Sequence, residues 1–362
     1  MSGPALPPNS TIGIIGGGQL GRMLAMAAAR LGYECVVLEK GGCPTRDVCV
    51  EQIDAAYDDP AALAKLAERA SVVTYEFENV PVGAMEELAR HVPVYPPAKA
   101  LSFSQDRLVE KRFINEHGIA TAPFVPADSD EEIADALARF GGRGVLKTRR
   151  MGYDGKGQRV FDGKTEAKVD GVFSAMGTVP LILEGFIDFS CEISIIAARS
   201  LDGSVAFYDP ARNEHSDGIL RRSTVPSQIS DTVSAQAREA ARRILNALDY
   251  VGVLGIEFFV TKDQELLVNE IAPRVHNSGH WTEAACAVSQ FEQHIRAICG
   301  LPLGATSRHS DCVMENLIGD EIDDLPQLAQ KPNAVLHHYG KRQARPGRKM
   351  GHVTYLKPLG SS

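Results

Sequence analysis

Residues 253–281, VLGIEFFVTKDQELLVNEIAPRVHNSGHW, decide how the rest of the chain is read. Two runs rich in apolar residues, 253–260 and 265–271, flank the polar break 261–264 and predict a β-hairpin. With Asp263-Gln264 as a two-residue turn, Lys262 faces Glu265, Val260 faces Leu267 and Glu257 faces Glu270. Directly opposed residues on one face of a sheet have Cβ atoms roughly 4.5–5.5 Å apart. Two carboxylates held that close repel each other unless one is protonated or a cation lies between them. A hard divalent cation such as Mg²⁺, bound by one or two carboxylates plus substrate phosphates, resolves the conflict. The pairing depends on the turn, because a three-residue turn shifts the register by one and separates the glutamates. The competing reading is two glutamates on the wet face of an ordinary hairpin.

Working outward, 362 residues exceed what one core organises and imply two or three domains. A hydrophobic fraction of 44% and a charged fraction of 23% are those of a globular protein. The formal charge of −8 argues against a general nucleic-acid binder. Seven scattered cysteines without a CxxC pair read as reduced thiols in a cytoplasmic protein with no metal knuckle. No apolar run approaches the roughly 18 residues of a membrane span. The first ten residues, MSGPALPPNS, lack the charged and apolar regions of a signal peptide and read as a disordered leader.

A first domain is expected over 11–104. Strand 11–15, a glycine turn with Gly16, Gly18 and Gly21, helix 22–31 and strand 34–38 ending in Glu39 make a βαβ unit with GxGxxG spacing. Two readings stay open: a dinucleotide site, or glycines that serve only a tight turn and close helix–sheet packing. Helix 60–69, strand 71–75 ending in Glu76 and Glu78, and helix 81–91 continue the α/β pattern up to the proline-rich run 92–97.

A central domain, 105–200, opens with helix 105–117, whose charged face holds Asp106, Arg107, Glu110, Lys111 and Arg112. Helix 129–140 and a strand ending at Lys147 lead into 148–158, TRRMGYDGKGQ, with three glycines, two arginines and a lysine. Such a loop is suited to covering polyphosphate, although it also reads as a surface turn. Strands 180–184 and 191–198 complete the unit. The third domain, 201–362, is expected to hold strand 203–209, a polar loop 212–222, helix 233–248, the hairpin, helix 283–300 and strands near 313–317, 334–339 and 352–356. Five basic residues among 341–349 suit a phosphate monoester or a solvated turn. His276 and His280 read as loop-fixing groups rather than metal ligands, and His337 and His338 sit on opposite faces of a strand.

In this order the pieces resemble the ATP-grasp superfamily, with an α/β, Rossmann-like first domain and two α+β domains that hold ATP between them. GGGQLGRML (16–24), KTRRMGYDGKGQ (147–158) and, above all, NEIAPRVHNSGHWT (269–282) resemble the N5-carboxyaminoimidazole ribonucleotide synthetase family. The likeness runs from about residue 11 to about 355. It implies an ATP- and bicarbonate-dependent carboxylation of 5-aminoimidazole ribonucleotide through carboxyphosphate, in a homodimer joined through the first domain. By that resemblance ATP is gripped by Arg107, Lys147, the lid (Gly152, Tyr153, Asp154, Gly155, Lys156, Gly157, Gln158), the hinge (Glu184, Gly185, Phe186, Ile187), Glu192, His215, Asn269 and Glu270. Glu257 and Glu270 hold Mg²⁺. Arg274 holds bicarbonate, while Tyr153, Asp154 and Lys156 bring lid closure to the acceptor. Gln19, Glu76, Lys341 and Arg348 bind the ribonucleotide. The rivals are a nicotinamide dehydrogenase built on the glycine turn and an ATP-grasp enzyme that transfers formate to a different purine ribonucleotide.

Overall fold

Three sheets succeed one another in the computed structural model, which describes residues 4–152, 157–164 and 168–360. The first is parallel, with strands β1 (Thr11–Ile15), β2 (Glu34–Leu38), β3 (Glu51–Ile53) and β4 (Val72–Tyr75) in the order β3-β2-β1-β4. Parallel strands need both faces covered, and apart from the edge strand β3 these are nearly continuous apolar runs. Ile12 and Ile14 pack against helix Gln19–Arg30, and Ile15 packs with residues of helices Pro60–Arg69 and Val82–Leu88. The leader expected to be disordered is ordered from residue 4. Leu6 N–H donates to the Cys299 carbonyl (2.8 Å), Asn9 N–H donates to Gly32 (2.8 Å), and Leu6 packs on the core.

The second sheet is antiparallel. Strands β5 (Phe124–Pro126), β6 (Arg143–Thr148), β7 (Gln158–Asp162) and β8 (Leu181–Gly185) lie in the order β5-β8-β6-β7. Helix Asp130–Arg139 covers one face through Ile133 and Leu137, packed on Leu146, Phe161 and Leu183. Strand alternation turns Lys147 and Glu184 to the other face, where they meet.

The third sheet comprises β9 (Phe189–Arg199), β10 (Val205–Phe207), β11 (Ala211–Ser216), β12 (Ile219–Val225), β13 (Gly252–Thr261), β14 (Leu266–Ala272), β15 (Asp311–Ile318), β16 (Ala334–His338) and β17 (Lys349–Lys357). The order is β14-β13-β9-β11-β12-β15-β17-β16, with β10 beside β9. β9 was expected to close the central unit at residue 200, but it lies inside this sheet, so the change of sheet falls between Gly185 and Phe189. The segment 212–222, expected as a loop, is the hairpin β11–β12. Its turn is Asp217-Gly218, both at positive φ, a conformation that matches the twist of the flanking strands. The helix expected over 105–117 is present as Arg107–Glu116, its start capped by the Asp106 carboxylate, which accepts from Leu108 and Val109 N–H; a separate helix, Ala98–Ser104, precedes it. The helix expected over 283–300 divides into Thr282–Ala285 and Gln290–Ile298, the second capped by Ser289.

The hairpin β13–β14 corrects its own premise. Thr261 N–H donates to the Glu265 carbonyl and Gln264 has φ 63°, so the turn has three residues and Val260 faces Leu266, not Leu267. A bulge at Asn269 then adds one residue to β14, and Glu257 faces Glu270 after all.

The glycine turn is held by close approach. Gly16 has φ +99°, and a Cβ there would lie 2.6 Å from Glu76 Cγ. Gly16→Ala is expected to destabilise the protein by about 2–4 kcal/mol through strain and overpacking, read from the midpoint of urea unfolding.

Candidate active site

A cavity of about 790 Å³ opens among the three sheets. Of the residues singled out in the sequence, it is lined by Gln19, Glu76, Arg107, Gly152, Glu270, Arg274, Lys341 and Arg348. Lys147, Gly157, Gln158, Glu184, Gly185, Phe186, Ile187, Glu192, His215, Glu257 and Asn269 lie outside that lining. Tyr153, Asp154, Gly155 and Lys156 lie outside the described residues.

At the Glu270 end of the cavity, Glu257 and Glu270 stand directly opposite across β13–β14. Their environments differ. Burial, reinforced by the facing Glu270 carboxylate, pushes Glu257 up, and His276 Nε2 stands 3.7 Å from it. For Glu270, burial is overridden by the Arg107 guanidinium, which donates to Oε2 at 2.9 Å and holds the carboxyl down. Beside them the buried Asn269 Oδ1 has no hydrogen-bond partner among the described residues. Buried polar atoms are rarely left unpaired, so this oxygen is a ready ligand. Two carboxylates and an amide oxygen form a hard, all-oxygen donor set that fits Mg²⁺.

Behind this end lies a buried charge cluster. Lys147 Nζ donates to Glu184 Oε2 (2.9 Å), and Lys111 Nζ lies 3.4 Å from the same oxygen. Burial works to raise Glu184, but Lys147 and Lys111 hold it down to about 2. Burial also lowers Lys147, with Glu184 opposing. Glu184 Oε1 is buried without a partner among the described residues. Phe186, in the segment joining β8 to β9, carries the Arg143 guanidinium over its ring at 4.3 Å. Glu192 on β9 accepts from His215 Nδ1 on β11; burial works to lower the His215 pKa, but that bond together with the Glu257 and Glu192 charges raises it. Gly157, at φ +70°, accepts from Thr148 N–H, while Gln158 is exposed on β7. Arg149 and Arg150, expected to cover polyphosphate, are both paired to Asp106.

At the opposite end, Glu76 fills the glycine turn. Its carboxylate accepts from Gly18 N–H (2.7 Å) and Gly21 N–H (3.0 Å), and burial raises it against these bonds. Glu39 accepts from Gly17 N–H (2.8 Å) and Tyr57 O–H (2.6 Å). The amides that would face a dinucleotide pyrophosphate are therefore spent on the chain's own carboxylates. Arg274 enters the cavity already paired through Nε to Glu78. Lys341 Nζ donates to the Lys349 carbonyl (2.6 Å) and Arg348 Nη1 donates to Gln343 (3.0 Å), which folds the basic turn back on itself at the cavity rim.

Sequence reasoning gave no role to Glu78, Glu110 or Lys111, although each had been noted as charged. Only the fold brings Glu110 beside Glu270, and burial, then that carboxylate, pushes it up to about 8. His276 Nδ1 bonds Ser278 Oγ (2.8 Å), and His280 Nδ1 bonds Gln290 (3.0 Å), whose side-chain amide also holds the His276 backbone. Across β16–β17, His337 pairs directly with His352, and Glu283 stands 3.1 Å from His337 Nδ1. That cross-strand pair was not visible from the His337-His338 dipeptide.

Three family models match in series: the ribonucleotide synthetase preATP-grasp domain at 9–105, the ATP-grasp domain at 112–291 and the phosphoribosylaminoimidazole carboxylase C-terminal domain at 312–359. That series, with the cavity that opens among the three sheets, defines a ligase of the ATP-grasp class. N5-carboxyaminoimidazole ribonucleotide synthase of Brucella melitensis is 61% identical over 359 residues, covering 99% of both chains. An ADP complex of an N5-carboxyaminoimidazole ribonucleotide synthetase superposes with a TM-score of 0.94 at 42% identity, covering 98% of this chain and 94% of that one. The enzyme of Aspergillus clavatus, in complex with ADP and 5-aminoimidazole ribonucleotide, matches at 0.90 and 31% identity, covering 97% and 94%. The chain belongs to the N5-carboxyaminoimidazole ribonucleotide synthase family.

Glu184 generates an acid-stability prediction. Its folded pKa of about 2 lies below the ordinary value of 4.5, so the unfolded chain takes up the extra proton. Its contribution, on the order of 2–3 kcal/mol, is complete above pH ~4.5 and is lost as pH falls toward ~2. Urea unfolding at stepped pH should show that loss in the wild type and a flatter profile in Glu184→Gln.

Proposed function

We propose that this chain carboxylates the exocyclic amine of 5-aminoimidazole ribonucleotide with ATP and bicarbonate, forming N5-carboxyaminoimidazole ribonucleotide, ADP and phosphate in de novo purine biosynthesis. One observation carries the reading. A single cavity joins Arg107 and Glu270, at the nucleotide end, to Arg274 and then to the basic turn of Lys341 and Arg348. Family membership and the two bound complexes of relatives support it.

Bicarbonate is a poor electrophile. Its oxygen attacks the γ-phosphorus, the bond to ADP breaks, and carboxyphosphate forms. The amine lone pair then bonds to the carboxyl carbon, the C–O bond to phosphate breaking in that step or beforehand as CO₂ is released, and the freed phosphate takes up the amine proton. Glu257, Glu270 and Asn269 would hold Mg²⁺, which when bound offsets charge on the β/γ-phosphates and orients them. Lys147 and Arg107 bring cations to the same polyanion. The Glu184 backbone and Gly185, Phe186 and Ile187 face adenine, and Glu192, oriented by His215, takes the ribose hydroxyls. Arg274, kept in place by Glu78, holds bicarbonate and the developing charge on carboxyphosphate. Gln19 and Glu76 contact the aminoimidazole ribonucleotide, and Lys341 and Arg348 clamp its 5′-phosphate. Tyr153, Asp154 and Lys156, on the lid from Gly152 to Gln158, close over a hydrolysable intermediate and exclude water.

A homodimer through the first domain and a cytoplasmic location belong to the same proposal. Among the described residues no helix is long and apolar enough to cross a membrane. Light scattering tests the dimer.

ADP release from Mg-ATP should require both bicarbonate and the ribonucleotide, and Glu270→Ala should reduce it at least about a hundredfold through loss of transition-state charge stabilisation. Turnover with formate in place of bicarbonate would instead assign the formate-transferring chemistry. Arg348→Ala should raise KM for the ribonucleotide about ten- to a hundredfold with kcat little changed, the signature of lost phosphate binding, read from steady-state kinetics.

A further inference from the structure

β14 is an edge strand of the third sheet, with β13 on one side only. An edge strand presents unpaired backbone N–H and C=O groups, and buried ones need partners. Val268 N–H finds one in the Ala120 carbonyl (2.8 Å). The next groups fall beside helix Arg107–Glu116, whose own backbone bonds run along its axis and offer nothing sideways. Side chains take over. Glu110 accepts from Ile271 N–H (2.8 Å), and Lys111 donates to the Asn269 carbonyl (3.1 Å). Arg107, on the same helix face, reaches Glu270 between them (2.9 Å). Glu110 and Lys111 are both buried, and Lys111 also lies 3.4 Å from Glu184 on β8, so one ammonium ties the bulge of the large sheet to the small sheet.

We infer that Glu110 and Lys111 are positioning residues that hold the Asn269 bulge on edge strand β14 and thereby aim Asn269 and Glu270 at the phosphate end of the nucleotide site. A regular strand without the bulge would move Glu270 out of register with Glu257. The two side chains therefore act on the reaction through the residues they hold. The inference rests on the Mg-ATP reading of Glu257, Asn269 and Glu270.

Two measurements on the full chain test it. Amide hydrogen exchange of residues 266–272, without ligands, reads the edge strand alone. Mg²⁺ half-saturation of ADP release, with KM for ATP and for the ribonucleotide, reads the site. Glu110→Ala and Lys111→Met should speed exchange in 266–272 and raise Mg²⁺ half-saturation, each about tenfold, while KM for the ribonucleotide stays within about twofold. Glu110→Gln, which keeps an acceptor for Ile271 N–H, should restore both. Residues 11–15 of β1 serve as an internal control for global loosening. Exchange that rises equally in β1, or wild-type Mg²⁺ half-saturation in both Glu110→Ala and Lys111→Met, would overturn the inference. A wild type that shows no Mg²⁺-dependent turnover would overturn the functional reading first and the positioning role with it, and the wild-type assay alone separates the two failures.

Discussion

Two carboxylates facing each other across a hairpin are a standing electrostatic conflict, and much of this structure is arranged around it. Like charges at that spacing keep one group protonated unless cations intervene. Here the conflict is divided unequally, with Glu257 enclosed and pushed up and Glu270 held down by Arg107. The geometry itself rests on two irregularities that cancel. A three-residue turn takes the strands out of register, and the bulge at Asn269 brings them back. At the bulge, Asn269 Oδ1, next in sequence to Glu270, is buried without a partner among the described residues. Bulges near reactive centres commonly re-aim side chains in this way.

The first domain shows the same economy of charge with a different outcome. A glycine turn leading into a helix N-terminus is a ready anion site. In this chain the anions are Glu76 and Glu39, supplied from the ends of neighbouring strands. The glycines are required because the carboxylates come so close: a Cβ at Gly18 would lie 2.6 Å from Glu76 Oε1. The turn thus serves as a wall of the cavity, through Gln19 and Glu76, rather than as a cradle for a dinucleotide.

Cations follow a comparable rule. Arg149 and Arg150 look like phosphate ligands in the sequence, yet Asp106 takes both, fixing the end of β6 to the start of helix Arg107–Glu116. Lys147 and Lys111 share one Glu184 oxygen. A buried charge must be paired, so the pairing partners decide which basic residues remain to meet a substrate.

The sequence by itself was enough for the βαβ opening and the presence of the hairpin, because these are local patterns of apolar periodicity and turn residues; it reached the opposition of Glu257 and Glu270 only because a misjudged turn and an unforeseen bulge cancel. Its motifs also pointed to the right family, since GGGQLGRML, KTRRMGYDGKGQ and NEIAPRVHNSGHWT are contiguous. It did not yield the true turn length, whose error a distant bulge concealed, nor the hairpin at Asp217-Gly218, hidden inside a charged stretch. Only the tertiary structure decided that β9 belongs to the large sheet, that Glu78 anchors Arg274, and that Glu110 and Lys111 brace the edge of β14. Those contacts join residues up to 196 positions apart. Periodicity along a chain reports which face of an element is buried, but the partner that a buried charge or an edge-strand amide finds is set by packing between elements, and no local pattern encodes it.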